Sequence, residues 1–234
     1  MVALDGLRTR LGKMTERILL RLEDRSGFPL NRAVYEVGAV PIAGREGISF
    51  LDFAIEGLEA YHASLGRYEY PDQHSLSQAE LPGSAARRQV HIPALPRVEI
   101  NVRDALVPFY RDTIVPQLCV RADDDPGTYG ETVYVDADLL ALLHERINLG
   151  RYVARAKFES GPGLRNPDLT PEELTELLRD RPQEERILAG VRVGAERYGV
   201  NTDVAEQLFG WVIEQTIRVE VAWLRGLPPA SLGR

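Results

Sequence analysis

A chain of 234 residues with 44% hydrophobic residues is long enough to bury one sizeable core or two small ones. Its formal net charge of −7 excludes a general preference for nucleic acid or for an anionic membrane, so any anionic ligand must be attracted by a local cluster of cations. The single cysteine, Cys119, excludes an internal disulfide framework and a cysteine-rich zinc site, and the four histidines lack the spacing of a metal site.

Helical periodicity dominates the chain, with apolar residues recurring every three or four positions. The segment SGFPLN (26–31) is expected to break the first helix, and DDDPGTYG (123–130) is expected to form a loop. The stretch 70–98 contains several prolines, and we interpret it as an irregular surface excursion. Helices are predicted at 3–22, 48–69, 102–118, 136–159, 170–180, 181–198 and 203–225.

Two helix starts carry capping signals. Thr170, with Pro171 after it and Glu173 at the third position, forms a predicted capping box, and Asp180 with Gln183 gives a second capping pattern. Alternation of period two is confined to short pieces such as ETVYVD (131–136), which we do not interpret as strands. We therefore predict an all-α fold, a single-domain helical bundle over residues 1–234 with long irregular surface loops.

Membrane association is not expected either. No segment approaches the apolar length that spans a bilayer, and the N-terminal residues do not resemble a secretory signal. We expect a cytoplasmic protein.

Two cations of the predicted long helix lie on its apolar face. At about 100° per residue, Arg146 and Lys157 point in nearly the same direction as the leucines of this helix, and Gly150 between them leaves space. The opposite, water-facing side is predicted to carry Asn148, Arg151, Arg155 and Glu159. Buried cations are costly unless a negative group meets them, so this face predicts an anionic partner.

Other polar residues depart from the core pattern on three further helices. Glu220 shares the apolar face of the last helix with Thr216 one turn before it, and Arg8 lies at the edge of the first helix's leucine stripe beside Gly12. These charges could simply pair across the bundle, with Arg146 and Lys157 meeting Glu184 and Glu220, while Arg8 extends its charge to water. Their number is the argument for a small-anion site, and from the residues alone both readings stay open.

Five long segments of mixed composition, which run in order through nearly the whole chain, identify a family. They are RSGFPLNRAVYE (25–36), SFLDFAIEGLEAYHASLGRYEYPD (49–72), HERINLGRYVARAKFES (144–160), EERILAGVRVGAERYGV (184–200) and TIRVEVAWL (216–224). They resemble the chorismate mutases of the fungal and plant type. The resemblance implies an all-helical homodimer that converts chorismate to prephenate in aromatic amino acid biosynthesis, without a cofactor.

The resemblance also implies an active site. The family's site residues fall on Arg8, Arg146, Lys157, Glu184, Thr216 and Glu220, all of the expected type. Arg8, Arg146 and Lys157 would meet the two carboxylates of chorismate, and Arg146 and Glu184 would hold its ring hydroxyl. Lys157 and a protonated Glu220 would donate to the ether oxygen. Asp180 departs from the asparagine of the fungal form, and its charge would oppose a dianion.

Regulation is expected to differ from the family pattern. Fungal and plant members bind aromatic amino acids between subunits through an arginine pair and a Gly-Ser step followed by a threonine. The matching positions here read Gly66-Arg67, Gly130-Glu131 and Tyr134. The resemblance leaves Arg67 and Gly130 as effector-binding candidates, and we expect regulation by tyrosine or tryptophan to be altered or absent.

Three alternatives remain besides a purely structural helical dimer. The chain could act on 4-amino-4-deoxychorismate, because Glu184 suits either a hydroxyl or an amine and Asp180 would favour an ammonium. It could be a non-catalytic partner that activates another shikimate-pathway enzyme, although all six site residue types are present. An isochorismate pyruvate lyase fits less well, since the similarity is to the mutases.

Overall fold

The computed structural model describes residues 4–85, 89, 94–96, 98–166 and 168–227. This part of the chain is helical and contains no strand, which confirms the predicted fold class. None of its helices is long and apolar enough to cross a membrane. The α-helices are α1 (Leu4–Ser26), α2 (Phe50–Ser64), α3 (Arg103–Phe109), α4 (Val115–Leu118), α5 (Tyr129–Asn148), α6 (Gly150–Ser160), α7 (Pro171–Leu178), α8 (Arg181–Tyr198) and α9 (Thr202–Arg225).

Helices α5 and α9 form the centre of the bundle. Residues on several faces of both helices are buried, while α1, α2 and α8 each bury one apolar stripe against them. The largest core cluster joins these five helices, and Trp223 and Phe158 belong to a second cluster beneath α7. A third cluster, around Met14 and Val153, packs α1 against α6. Helices α1, α5, α6, α8 and α9 therefore converge at one end of the core.

The first helix is longer than predicted. It continues through Ser26, one turn beyond the expected end at residue 22. Arg25 in this extra turn is fully buried, and its guanidinium donates to Asp136 Oδ1 at 2.9 Å and to the carbonyl of Pro29 at 2.9 Å. These bonds fix the extra turn, so the break falls after residue 26.

The predicted long helix differs from the structure at its start. Helix α5 begins at Tyr129, seven residues before the expected start, after a short 3-10 turn (Pro126–Thr128) that Asp125 caps. ETVYVD is helical. Leu149 joins α5 to α6 with helical angles (φ −61°, ψ −16°), and its N–H still donates to the Glu145 carbonyl at 3.0 Å.

The prediction that Asn148 and Arg151 face water was wrong, because the segment before α3 covers this side of the helix. Both side chains are buried. The Arg151 guanidinium donates to the carbonyl of Val98 and, at 3.1 Å, to Asn148 Oδ1. Arg155 and Glu159 remain partly exposed and pair with each other at 2.6 Å.

Helix boundaries elsewhere follow glycine and proline. Helix α2 ends at Ser64 rather than at residue 69, since Gly66 adopts a left-handed conformation (φ 76°) that ends the helix, and a 3-10 turn follows over Arg67–Glu69. In the predicted helix 102–118, the region around Pro108 and Pro116 includes a π-helical turn, Tyr110–Ile114.

The stretch 70–98 is irregular where the structure describes it, but it also contributes to the core. Leu76 is buried, and the backbone N–H groups of Leu76 and Ser77 donate to the buried Glu59 carboxylate at 2.8 and 2.6 Å. Positions 86–88, 90–93 and 97 lie outside the described residues, as does Pro228 beyond the last helix.

Candidate active site

A cavity of about 380 Å³ opens where α1, α5, α6, α8 and α9 converge. Its wall is largely apolar, with Leu11, Val153 and Ile217 among the lining residues. The residues that the sequence singled out all line this one cavity: Arg8, Arg146, Lys157, Asp180, Glu184, Thr216 and Glu220. The cavity is large enough for a small organic anion, and its charged groups come from five different helices.

Arg146 lies at the floor of the cavity as a buried cation. It is 4% exposed, and burial lowers the pKa of its guanidinium to about 10. Its Nη1 donates to the carbonyl of Leu11 at 2.6 Å, its guanidinium carbon lies 5.4 Å from the centre of the Phe209 ring, and its Nε has no partner. Within the described ranges no carboxylate pairs with it, so the alternative in which Glu184 neutralises Arg146 does not occur.

Lys157 and Glu220 form an ion pair across the α6–α9 contact. Lys157 Nζ lies 2.9 Å from Glu220 Oε2 and also donates to the carbonyl of Leu178 at 2.5 Å. Gly150 permits this close packing, because a Cβ there would lie 2.9 Å from the Thr216 carbonyl oxygen. The expected free space beside Gly150 is therefore occupied by the backbone of α9.

The Glu220 carboxyl is 2% exposed, and this burial raises its pKa to about 7. The nearby Lys157 opposes that rise, while the negative charge of Glu184 adds to it. This shift favours the protonated form of Glu220 far more than in water, and a protonated carboxyl can donate a hydrogen bond.

Arg8 and Asp180 pair at the rim of the cavity. Arg8 Nη2 donates to Asp180 Oδ2 at 2.9 Å, and both side chains are 37% exposed. Asp180 also begins α8 as its N-cap, where its Oδ1 accepts from the backbone N–H of Gln183 at 3.2 Å. Next to Arg8, Gly12 faces open space, as the sequence predicted. Asp180 therefore supplies the counter-charge of Arg8.

Glu184 is held by groups that sequence reasoning missed. Its Oε2 accepts from Arg179 Nη1 at 3.2 Å, and its Oε1 accepts from the backbone N–H of Asp180 at 3.3 Å. Arg179 lies near the end of the predicted helix 170–180, and no periodic signal distinguishes it from the nearby Arg181. Thr216 donates its hydroxyl to the carbonyl of Val212 at 2.7 Å, which leaves its oxygen lone pairs facing the cavity.

The effector candidates lie apart from each other within one chain. Arg67 donates to Glu145 Oε2 at 2.7 Å and to Gln73 Oε1 at 2.9 Å. Gly130 is exposed in the first turn of α5, fifteen residues before Glu145, a distance of about 22 Å along the helix. A single chain does not bring these positions together. In the described part of the chain, no group of His, Cys, Asp and Glu side chains could hold a metal ion.

Comparisons with known proteins point in one direction. Residues 129–221 match the family model described as chorismate mutase type II. The chorismate mutase of Saccharomyces cerevisiae is 30% identical over 208 residues, covering 85% of this chain and 80% of that protein. The chloroplastic chorismate mutase 1 of Petunia hybrida is 27% identical, over 94% and 74% of the two chains. The crystal structure of the Candida albicans chorismate mutase in complex with L-Trp superimposes with a TM-score of 0.88 and 29% identity, over 95% of this chain and 90% of that one.

Proposed function

Because the chain belongs to the chorismate mutase family of fungi and plants, we infer that its cavity binds chorismate and converts it to prephenate. The observation that carries this inference is Arg146, a buried guanidinium without an anionic partner among the described residues. A substrate with two carboxylates supplies the missing negative charge through charge-assisted hydrogen bonds, with Arg8 as the second carboxylate contact.

The rearrangement is intramolecular: one C–O bond breaks while one C–C bond forms, and no nucleophile or cofactor takes part. The apolar wall and the cations hold the flexible substrate in the compact conformer that brings the reacting carbons together. Lys157 and protonated Glu220, which already share a hydrogen bond, donate to the ether oxygen as negative charge grows there. Glu184 and Arg146 bind the ring hydroxyl, and Thr216 lies beside them.

The pH dependence follows from Glu220. Because its pKa is near 7 and only the protonated form donates, activity is full below that pH and falls as pH rises through it. We expect kcat/KM to drop about 100-fold between pH 6 and pH 9. The decline of kcat starts at higher pH, since the bound dianion further opposes ionisation of Glu220.

Glu220→Gln donates at any pH and is expected to flatten this decline. The measurement is the chorismate rate from pH 5.5 to 9.5 for both proteins, with circular dichroism at each pH to confirm that the fold is intact. An unchanged decline in the Gln variant would exclude the proposed role of Glu220.

Asp180 is expected to weaken substrate binding, because it competes with a substrate carboxylate for Arg8. Asp180→Asn removes the competing charge but keeps the oxygen that caps α8. We expect KM for chorismate to fall about threefold to tenfold with little change in kcat. Steady-state kinetics at low ionic strength tests this, and a rise in KM would show that Asp180 contributes to binding instead.

The direct test of the proposed function is the loss of chorismate absorbance on addition of purified protein, with prephenate identified as the product. No turnover would redirect the search, first to amino-substituted chorismate and then to a partner enzyme that this chain activates. The structure offers little support for the amino-substituted substrate, because the Asp180 carboxylate is already engaged by Arg8. It offers little for a non-catalytic partner either, because the site residues line one cavity.

We also propose that the chain forms a homodimer. An exposed stripe runs along α2 at four-residue spacing, through Phe53, Gly57, Tyr61 and Leu65. Such an apolar stripe suits a second copy of the chain, and sedimentation velocity would give the oligomeric state. In such a dimer, an effector between subunits would contact Arg67 of one copy and Gly130 of the other. That regulation by tyrosine or tryptophan is altered or absent stays a prediction.

The domain and location assignments also remain proposals. We propose that residues 1–234 form a single domain, since α1, α5 and α9 contribute to shared clusters along the chain. The cytoplasmic location remains a prediction, because the Petunia relative is a chloroplastic protein by name.

A further inference from the structure

Arg179 connects a cavity carboxylate to the outside of the bundle. It is the single residue between the end of α7 and the N-cap of α8, and its side chain is 17% exposed. Its Nη1 donates to Glu184 Oε2 at 3.2 Å, and its Nη2 lies 2.7 Å from each carboxylate oxygen of Glu214 on α9. Arg179 is absent from the side chains that line the cavity, so it touches Glu184 from behind.

We propose that Arg179 is a positioning residue that fixes the Glu184 carboxylate for the ring hydroxyl of the substrate. This inference rests on the proposed function, in which Glu184 accepts the hydroxyl hydrogen. A glutamate side chain has three rotatable bonds, and holding it in one orientation costs conformational entropy. Arg179 on one oxygen and the Asp180 backbone N–H on the other fix the carboxylate before the substrate arrives.

The positive charge of Arg179 also offsets the negative charge of the Glu184 carboxylate. Glu16, Asp180, Glu184 and Glu220 bring four carboxyl groups to a cavity that would bind a dianion, and Glu16 among them is exposed to water. Asp180 pairs with Arg8 and Glu220 pairs with Lys157, which leaves Glu184 to be offset by Arg179. Without that cation, Glu184 would turn towards solvent or repel the bound substrate.

Glu214 anchors Arg179 from the far side. Its carboxylate is 47% exposed on α9 and does not line the cavity. The bonds between Glu214 and Arg179 keep the guanidinium plane facing Glu184, because the arginine fork binds in a fixed geometry. Removing Glu214 should therefore weaken the same effect without removing the charge of Arg179.

The test is a double-mutant cycle on the purified full chain, with kcat and KM for chorismate measured separately. Arg179→Met is expected to lower kcat/KM about tenfold, the effect of losing one hydrogen bond to a charged group. In a Glu184→Met background, which removes the acceptor oxygens, the same substitution is expected to change kcat/KM less than about twofold, because its target is gone. Arg181→Met is the matched control. This substitution removes the same positive charge, but Arg181 pairs with Glu176 outside the cavity.

Equal losses in both backgrounds would overturn the proposal, because Arg179 would then act on the fold and not through Glu184. Arg179→Lys keeps the charge and one hydrogen bond, so it should recover part of the loss in the native background and give a folded variant for the cycle. Glu214→Gln should show a smaller loss that also disappears with Glu184→Met. If the unmodified protein does not convert chorismate, the proposed function fails instead. If Glu184→Met alone has no effect, the role of Glu184 fails, and with it that of Arg179.

Discussion

Replacing Arg146 by alanine is expected to lower kcat/KM for chorismate by about three orders of magnitude, which corresponds to removing one partner of a buried charge pair. The guanidinium is 4% exposed, and it has donors free for a ligand because, among the described residues, it donates to a single carbonyl, that of Leu11. Alanine leaves a substrate carboxylate in an apolar cavity without a counter-charge, and such a group binds poorly.

We expect Arg146→Ala to change the stability of the protein much less than its activity. In the free protein Arg146 is a cation that burial disfavours, as its lowered pKa shows, so its removal relieves a desolvation cost while opening a cavity. We expect Tm to change by only a few degrees, measured by circular dichroism beside the chorismate assay. Arg155→Ala is the control, because Arg155 lies on the outer side of α6 and, in the described part of the chain, forms its ion pair with Glu159. Full activity in Arg146→Ala would exclude Arg146 from the site.

Replacing Lys157 by methionine should lower kcat about 100-fold to 1,000-fold, the usual effect of removing one donor to a developing oxyanion. Methionine nearly preserves the length and volume of the side chain but removes the ammonium that now binds Glu220 at 2.9 Å. Lys13, the only other lysine, is exposed on α1, and Lys13→Met serves as the control.

Replacing Lys157 by methionine should also change the pH dependence of the remaining activity. Lys157 lowers the pKa of Glu220, so its loss raises that pKa further, and the remaining activity should decline at a higher pH than in the unmodified protein. The rate–pH profile measures this shift. A variant that lost activity but kept the original profile would show that Lys157 and Glu220 do not act on the same oxygen.

The helical wheel succeeded where a residue's face is set by its own helix. Arg146 and Lys157 share a face on the wheel, and both line the cavity. It failed for Asn148 and Arg151, which are covered by an irregular segment that carries no periodic signal. Packing between distant segments decided burial there, and a single helix contains no information about it.

In the candidate site, the sequence predicted contacts between neighbouring residues but not contacts between distant ones. The N-cap role of Asp180 was visible from its spacing to Gln183, whereas its pairing with Arg8 joins residues 172 positions apart. Which arginine of the Arg179-Asp180-Arg181 run turns inward depends on backbone angles at the end of α7. The roles of Arg8, Arg146, Lys157, Glu184, Thr216 and Glu220 rest on the family resemblance, and the substitutions of Arg146, Lys157, Glu184 and Glu220 test four of them.

The backbone runs on through Leu149, and this fixes the spacing of the cations. Leu149 keeps helical angles (φ −61°, ψ −16°), its N–H donates to the Glu145 carbonyl at 3.0 Å, and its carbonyl accepts from the Val153 N–H at 3.1 Å. Arg146 and Lys157 therefore belong to one continuous helical backbone, about 16 Å apart along its axis. A dianion of another length would have to be met by a cation on a different helix, because these two do not move relative to each other without breaking those bonds.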